Sequence, residues 1–112
     1  MEHTDDPVRI QALLNEHTGW SAMLWMFSPS LRRLVLRVYH FQEVRELYVV
    51  CVGCKTIVGA FEWQGAQLRF TQKENEQEAR YWLRDEAGFE LSFDGGAVVS
   101  VGIPSDEWLS NF

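Results

Sequence analysis

The sequence predicts an α+β protein in which an N-terminal helix packs on a largely antiparallel, meandering β-sheet of about 6–8 strands. The first observation is a single segment, between Asp6 and Gly19, in which apolar residues recur at helical spacing. The second is that most of the remaining chain consists of short apolar or alternating segments rich in β-branched and aromatic residues. The third is the Gly, Pro and Asp residues between these segments, which favour hairpins.

The predicted helix has a recognisable start and stop. Asp6 can accept a hydrogen bond from a free amide of the first turn, and Pro7 fits the first helical position because no amide hydrogen is needed there. Gly19 suits a left-handed stop at the other end. A helix of this length is marginal in isolation, so we expect its apolar face, which includes Leu13 and Leu14, to be buried on the sheet.

The predicted strands are apolar runs between turn signals such as Pro29 and the Asp-Gly-Gly triplet at residues 94–96. A hairpin is the simplest link between the first two of them. The predicted strands lie at residues 20–28, 34–41, 46–52, 56–63, 67–71, 89–93 and 97–101.

Residues 72–87 allow two interpretations. A second helix is one, because Glu, Gln, Arg and Ala are good helix formers. A strand from Ala79 onward is the other, because Tyr81 and Trp82 favour sheets. We prefer the strand. Near the C-terminus, Ser105 can cap a short helical turn.

Length, charge and hydropathy narrow the class of protein. The 112 residues fit one domain, residues 1–112, which can bury a core without disulfides or metal. The net charge of −6 repels nucleic-acid phosphates and anionic membranes, so we expect neither as a partner. No apolar run approaches the ~20 residues of a membrane helix, and the acidic N-terminus does not look like a secretory signal. These features predict a cytoplasmic protein with reduced thiols.

Both cysteines lie in one motif, Cys51-Val-Gly-Cys54. Gly53 permits a turn that would bring the two thiols together, and the strand, Cys-x-x-Cys, strand layout resembles a zinc knuckle. A mononuclear zinc site takes four ligands, so a homodimer would have to supply the motif twice. A redox role would place the pair at a helix start, whereas residues 55–59 favour a strand. We prefer the interpretation that Cys51 and Cys54 fill space in a buried strand without a cofactor, and zinc binding is the alternative.

Enzyme chemistry has less support. The sequence contains no glycine-rich phosphate-binding motif and no His-Glu-x-x-His motif. His40, on an apolar strand, could act as an acid or base in a pocket on the sheet if a buried carboxylate lay beside it. A small enzyme is therefore the third interpretation, and no catalytic residue is assigned.

The segment at residues 20–28 indicates a binding function. Both of its faces are apolar, and strict alternation places Met23, Trp25 and Phe27 on one of them. A single helix cannot cover both faces of a sheet, and aromatic residues concentrate binding energy at protein interfaces. The sequence therefore predicts a non-catalytic binding domain that forms a homodimer, or binds another protein, through Met23, Trp25 and Phe27.

Overall fold

Two helices and ten strands form in residues 1–73 and 80–110, which are the residues that the computed structural model describes. The helices are α1 (Pro7–Glu16) and α2 (Asp106–Leu109). A 3-10 turn lies at Ser30–Arg32. The strands are β1 (Glu2–Thr4), β2 (Ser21–Ser28), β3 (Arg33–Tyr39), β4 (Glu46–Cys51), β5 (Cys54–Val58), β6 (Glu62–Trp63), β7 (Arg69–Gln72), β8 (Tyr81–Arg84), β9 (Glu90–Phe93) and β10 (Ala97–Gly102).

The strands form two sheets, and their neighbours pair antiparallel throughout, which confirms the predicted α+β class. The six-stranded sheet has the order β1-β10-β4-β3-β2-β6, and the four-stranded sheet has the order β5-β9-β8-β7. The sequence predicted about 6–8 strands in one sheet. The difference arises because the inner faces of two sheets, with α1, enclose one shared hydrophobic core.

The chain passes between the sheets at a bend in a single antiparallel ribbon. β4 and β5 form one side of this ribbon, and β10 and β9 form the other. At the bend the Val52 amide donates to the Gly96 carbonyl (3.0 Å), and the Gly95 amide donates to the Val52 carbonyl (2.8 Å). The Asp94 amide donates to the Gly53 carbonyl (3.1 Å). The ribbon therefore remains hydrogen-bonded while it turns from one sheet into the other.

The predicted strand at residues 56–63 is two strands in the structure. β5 belongs to the four-stranded sheet and β6 to the six-stranded sheet. The short connection that follows Val58 contains Gly59, whose φ is +131°. This connection brings the chain back to β2, with which β6 pairs.

The predicted helix start is confirmed. The Asp6 carboxylate accepts a hydrogen bond from the Arg9 amide (3.3 Å), and Pro7 is the first helical residue. The helix ends at Glu16, three residues before Gly19. Its buried residues belong to the core that both sheets share, and they are Ile10, Leu13 and Leu14.

The strand that we preferred within residues 72–87 is confirmed by β8, whereas residues 74–79, which the helix alternative includes, lie outside the described residues. The predicted cap of the C-terminal turn is also confirmed, because the Ser105 hydroxyl accepts a hydrogen bond from the Trp108 amide (3.1 Å). In the described part of the chain, no helix has the length and apolar character that crossing a membrane requires.

Replacing Gly53 with Ala is expected to destabilise the bend. Gly53 has a φ of +71°, and an added Cβ would lie 2.1 Å from Asp94 Oδ1 and 3.0 Å from the Gly95 nitrogen. Gly65 has a similar φ, +67°, but no atom within 4 Å of an added Cβ, so Gly65→Ala measures backbone strain alone. We expect Gly65→Ala to lower the free energy of unfolding by about 1 kcal/mol, and Gly53→Ala by about 2 kcal/mol more. Urea unfolding measures both losses, and equal losses would show that the bend tolerates a side chain.

Candidate protein-interaction site

Sheet edges are the first place to look for a binding surface, because the outer amides and carbonyls of an edge strand have no partner within the sheet. The edges here are β1 and β6 in the six-stranded sheet, and β5 and β7 in the four-stranded sheet. β1 has three residues and β6 has two. Such short edges offer little backbone for another strand to pair with.

The edge of β7 is occupied by a side chain of α1. Gln11 Nε2 donates to the Leu68 carbonyl (3.3 Å), and Gln11 Oε1 accepts a hydrogen bond from the Phe70 amide (2.7 Å). Gln11 Nε2 also lies 2.8 Å from Asn15 Oδ1, which orients the amide group. Gln11 therefore takes the place that a neighbouring strand would have at Leu68 and Phe70, the start of this edge.

The edge of β5 is protected at one end only. Lys55 and a register shift between Cys54 and Thr56 lie at its N-terminal end, and both features disfavour pairing with another strand there. Thr56, Ile57 and Val58 continue in regular register with β9, and all three are exposed. Within the described chain, no strand pairs with the outer side of these three residues. The outer side of β5 is therefore unpaired at these three residues.

A gap, which we call the β2–β5 slot, separates β5 from β2. The chain closes the slot at both ends, because the Gly53 amide donates to the Leu31 carbonyl (2.9 Å) and the Leu24 amide donates to the Phe61 carbonyl (2.7 Å). Between these bonds, in the described chain, no ladder joins β2 to β5. The slot holds a cavity of about 180 Å³, lined by Phe27, Leu34, Cys54, Lys55, Thr56, Ile57 and Leu91.

Exposed apolar side chains gather around the β2–β5 slot. Five of them are between 48% and 78% exposed, and we call them the slot surface: Phe27, Leu31, Ile57, Val58 and Phe61. Scattered apolar residues are normal on a protein surface, whereas a group of them beside an unpaired strand is a candidate interaction surface.

The backbone at one end of the slot is strained. Leu31 and Arg32 have φ values of +59° and +44°, in the left-handed region that residues other than glycine rarely adopt. Such conformations cost about 1–3 kcal/mol each and persist where the surroundings hold them. Here the Leu31 carbonyl accepts a hydrogen bond from the Gly53 amide, and the Arg32 guanidinium lies 3.9 Å from the Asp94 carboxylate. The strained turn leaves the Leu31 side chain exposed beside the slot.

The predicted interface residues Met23, Trp25 and Phe27 do not share a face, so this part of the prediction is wrong. The ladder between β2 and β3 shifts by one residue at Trp25, which is a β-bulge. Before the bulge Met23 pairs with Arg37, and after it Phe27 pairs with Leu34, a buried core residue. Because directly opposite residues share a face, Phe27 lies on the core-facing side, at the slot.

The outward face at Trp25 is largely occupied by contacts within the chain. The Arg37 guanidinium carbon lies 5.1 Å from the Trp25 ring centre and 4.6 Å from the Tyr39 ring centre. Arg37 Nε also donates to the Glu46 carboxylate at 2.9 Å. This guanidinium therefore ties three neighbouring strands together on the outward face.

Helix α2 covers the next part of this face. The Trp108 ring packs edge-on against Tyr48 with their centres 4.5 Å apart, and Tyr48 is almost fully buried. The Tyr48 hydroxyl donates to the Glu46 carboxylate (2.7 Å). Burial, followed by this hydrogen bond, raises the pKa of Tyr48, so its hydroxyl remains protonated.

Cys51 and Cys54 lie on either side of the bend. Cys51 is fully buried in the core, and Cys54 lines the slot, with its thiol donating to the Cys51 carbonyl at 3.6 Å. Both are free cysteines. Burial raises the pKa of the Cys51 thiol, and it raises the pKa of Cys54 to about 11. Both are therefore protonated at neutral pH, whereas the thiolate is the form that binds metal or attacks a disulfide.

The chain continues from Cys54 directly into β5, so the motif does not stand at a helix start as it would in a thioredoxin-like site. Among residues 1–73 and 80–110, no three His, Cys, Asp or Glu residues are grouped so that they could hold a metal ion. The zinc interpretation requires a second copy of the motif and stays a prediction.

His40 is packed among aromatic rings. Its ring centre lies 5.7 Å from that of Trp20 and 5.0 Å from that of Phe41. Its Nδ1 accepts a hydrogen bond from the Gln42 amide (3.1 Å). These contacts explain His40 as a packed residue of a strand end, and its use as an acid or base stays a prediction.

Asp85 is a buried carboxylate with a structural role. It accepts hydrogen bonds from the Trp63 indole (2.8 Å), the Gln67 amide (2.8 Å) and the Ala87 amide (2.9 Å). These bonds connect β6, the following loop and the turn after β8. The carboxylate is therefore satisfied by the scaffold.

Sequence reasoning found Phe27 and missed the other four residues of the slot surface. The signal in the sequence was the apolar run from Ile57 to Phe61, in which no polar residue alternates. Such a run looks the same in a buried strand and on an open edge.

A scan against models of known protein families found no match, and searches of curated proteins and of solved structures found none either.

We expect Cys54 to be alkylated slowly in the folded protein. A pKa raised from 9.0 to about 11 lowers the thiolate fraction at pH 8 by about 100-fold. In urea, Cys51 and Cys54 are expected to react with iodoacetamide at the rate of an ordinary thiol. Mass spectrometry of a labelling time course measures both rates, and native labelling of Cys54 as fast as in urea would contradict the protonated thiol.

Proposed function

We propose that this protein is a small non-catalytic binding domain that self-associates, and that the contact is the β2–β5 slot. The observation that supports this proposal is the slot surface, five exposed apolar side chains beside the unpaired side of β5. Of the other three edges in the described chain, β1 and β6 are only three and two residues long, and Gln11 covers the start of β7. A group of exposed apolar side chains beside an unpaired strand is typical of a surface that binds another chain.

The charge near the slot is compatible with a second copy as the partner. With a net charge of −6, two copies repel each other over most of their surfaces. Beside the slot, however, the Asp94 carboxylate lies 3.9 Å from Arg32 and 3.6 Å from Lys55. Two cations share one carboxylate there, so this face lacks the excess of acid that the whole chain carries. Approach through the slot therefore meets less repulsion.

Among the three interface residues predicted from the sequence, we assign only Phe27 to this contact. Met23 and Trp25 lie on the outward face, where Arg37 already packs on Trp25. Phe27 lines the slot cavity together with Ile57. The proposed contact thus keeps the predicted homodimer and moves its centre from β2 to β5.

We also propose that the protein works in the cytoplasm without nucleic acid as a partner. Two free cysteines, one buried in the core and one half-buried at the slot, suit a reducing compartment. The net negative charge opposes binding to phosphates.

Ile57→Lys is expected to convert the dimer into a monomer, because Ile57 is exposed in one copy but would bury a charge in the contact. Val8 is the control: it is more exposed than Ile57 and lies on α1, beside the opposite edge of the four-stranded sheet. Val8→Lys adds the same charge and is expected to leave the dimer intact. We expect Ile57→Lys to weaken self-association at least about 30-fold.

Sedimentation velocity of the three proteins at micromolar concentrations measures this effect. A wild-type protein that sediments as a monomer throughout would contradict self-association. A dimer that Ile57→Lys does not weaken would contradict the slot as its contact.

A further inference from the structure

We propose that the cavity of the β2–β5 slot binds a small organic acid, which has an apolar body of about six carbon atoms and one carboxylate head group. Such a site lies within one copy of the chain, so it stands whether or not the protein self-associates. Three features of the described chain support it: the lining of the cavity, its volume and the charge at its mouth.

The walls of the cavity come from four strands, β2, β3, β5 and β9. Its floor is buried, because Leu34 and Leu91 are 2% and 0% exposed. Its mouth is formed by Phe27 and Ile57, which are about half exposed. The two backbone hydrogen bonds that close the slot hold β2 beside β5 on either side of the cavity. The cavity is therefore part of the fold and opens to solvent at one side.

The side chains of the lining favour an apolar body. The Cys54 thiol already donates to the Cys51 carbonyl, and the Thr56 hydroxyl already forms a hydrogen bond with the Ser92 hydroxyl. The polar groups left to a ligand are the Lys55 ammonium and the unpaired backbone of β5. A mostly apolar lining with a few polar groups is typical of a site that binds a small molecule.

The volume limits the size of the ligand. The cavity measures about 180 Å³. A protein cavity of about 150 Å³ that is lined by leucine, isoleucine and phenylalanine holds one benzene molecule. The slot cavity therefore suits the chain of hexanoate or the ring of benzoate, and it is too small for a nucleotide or a long fatty acid.

The charge at the mouth selects the head group. Lys55 lines the cavity, and its ammonium lies 3.6 Å from the Asp94 carboxylate. The Arg32 guanidinium lies 3.9 Å from the same carboxylate. Two cations beside one carboxylate leave an excess of one positive charge there, although the whole chain has a net charge of −6. An anionic head group is attracted to this mouth, and a cationic one is repelled.

NMR titration of the full chain with three probes tests the site. Hexanoate, hexanamide and hexylamine have similar apolar chains and carry an anionic, a neutral and a cationic head. We expect hexanoate to shift the amide signals of Leu34, Leu91 and residues 54–57, with a dissociation constant on the order of 1 mM. Hexanamide is expected to bind about 5-fold more weakly, and hexylamine more weakly still. Benzoate, titrated in the same way, distinguishes a ring from a chain as the preferred body.

The two lysines of the chain provide a matched pair of variants. Lys55→Gln removes the ammonium at the mouth, and we expect it to weaken hexanoate about 5-fold and to leave hexanamide unchanged. Lys73→Gln makes the same change of charge just after β7, at the opposite edge of the four-stranded sheet. We expect Lys73→Gln to change the affinity for neither probe.

Filling the cavity tests its location. Cys54→Leu places a larger apolar side chain in the lining, so we expect it to weaken hexanoate at least about 10-fold. Alkylation of Cys54 in the wild-type protein is a second measurement, which remains if that variant fails to fold. Hexanoate at ten times its dissociation constant is expected to slow this alkylation about 10-fold, and hexylamine at the same concentration is not.

Several results would overturn the site. These are amide shifts that are absent or lie away from the cavity, equal affinity for the three probes, and hexanoate binding that Cys54→Leu does not weaken. A dimer whose formation excludes hexanoate would show that a side chain of the second copy fills the cavity, and would overturn the small acid as its occupant. Hexanoate that binds without changing the sedimentation of the protein supports the small acid in a monomer and in a dimer alike.

Discussion

The arrangement of this protein depends on the bend at which one antiparallel ribbon passes between two sheets. The strands stay hydrogen-bonded through residues 52–53 and 94–96, so the turn loses little backbone pairing. Because of the bend, β5 belongs to a different sheet from β2, and the chain returns to β2 only at Phe61. The slot between β2 and β5, and the unpaired side of β5, are consequences of this one change of direction.

The same bend explains how a chain with one main helix covers its sheets. The two inner faces cover each other, α1 completes the core between them, and Gln11 of that helix closes the β7 edge. On the outward face of the six-stranded sheet, Arg37 packs on aromatic rings and Trp108 packs on Tyr48. The slot surface has no comparable cover in the described chain, and under the proposed function a second copy covers it.

Local signals in the sequence predicted local structure, whereas the two features that define the site depend on distant contacts. Asp6 and Ser105 cap their helices as predicted, since a cap involves only neighbouring residues. Gly53 indicates a turn. The sequence does not distinguish a turn that brings Cys51 and Cys54 together from a bend that carries the chain into a second sheet. The bulge at Trp25 places Phe27 on the opposite face from the predicted one. The bulge lies in a run that is apolar on both faces, so the alternation of residue types does not reveal it. Phe27 was therefore predicted for the wrong face.

Hydrogen exchange at two protein concentrations tests most directly whether the bend leaves β5 open for a second copy. We expect the amides of residues 56–58 to exchange rapidly in dilute solution and to become at least about 10-fold more protected at concentrations where the dimer forms. The Phe70 amide donates a hydrogen bond to Gln11 Oε1 (2.7 Å) and should be protected equally at both concentrations. Protection of residues 56–58 that does not change with concentration, or a change confined to the outward face around Trp25, would contradict this account.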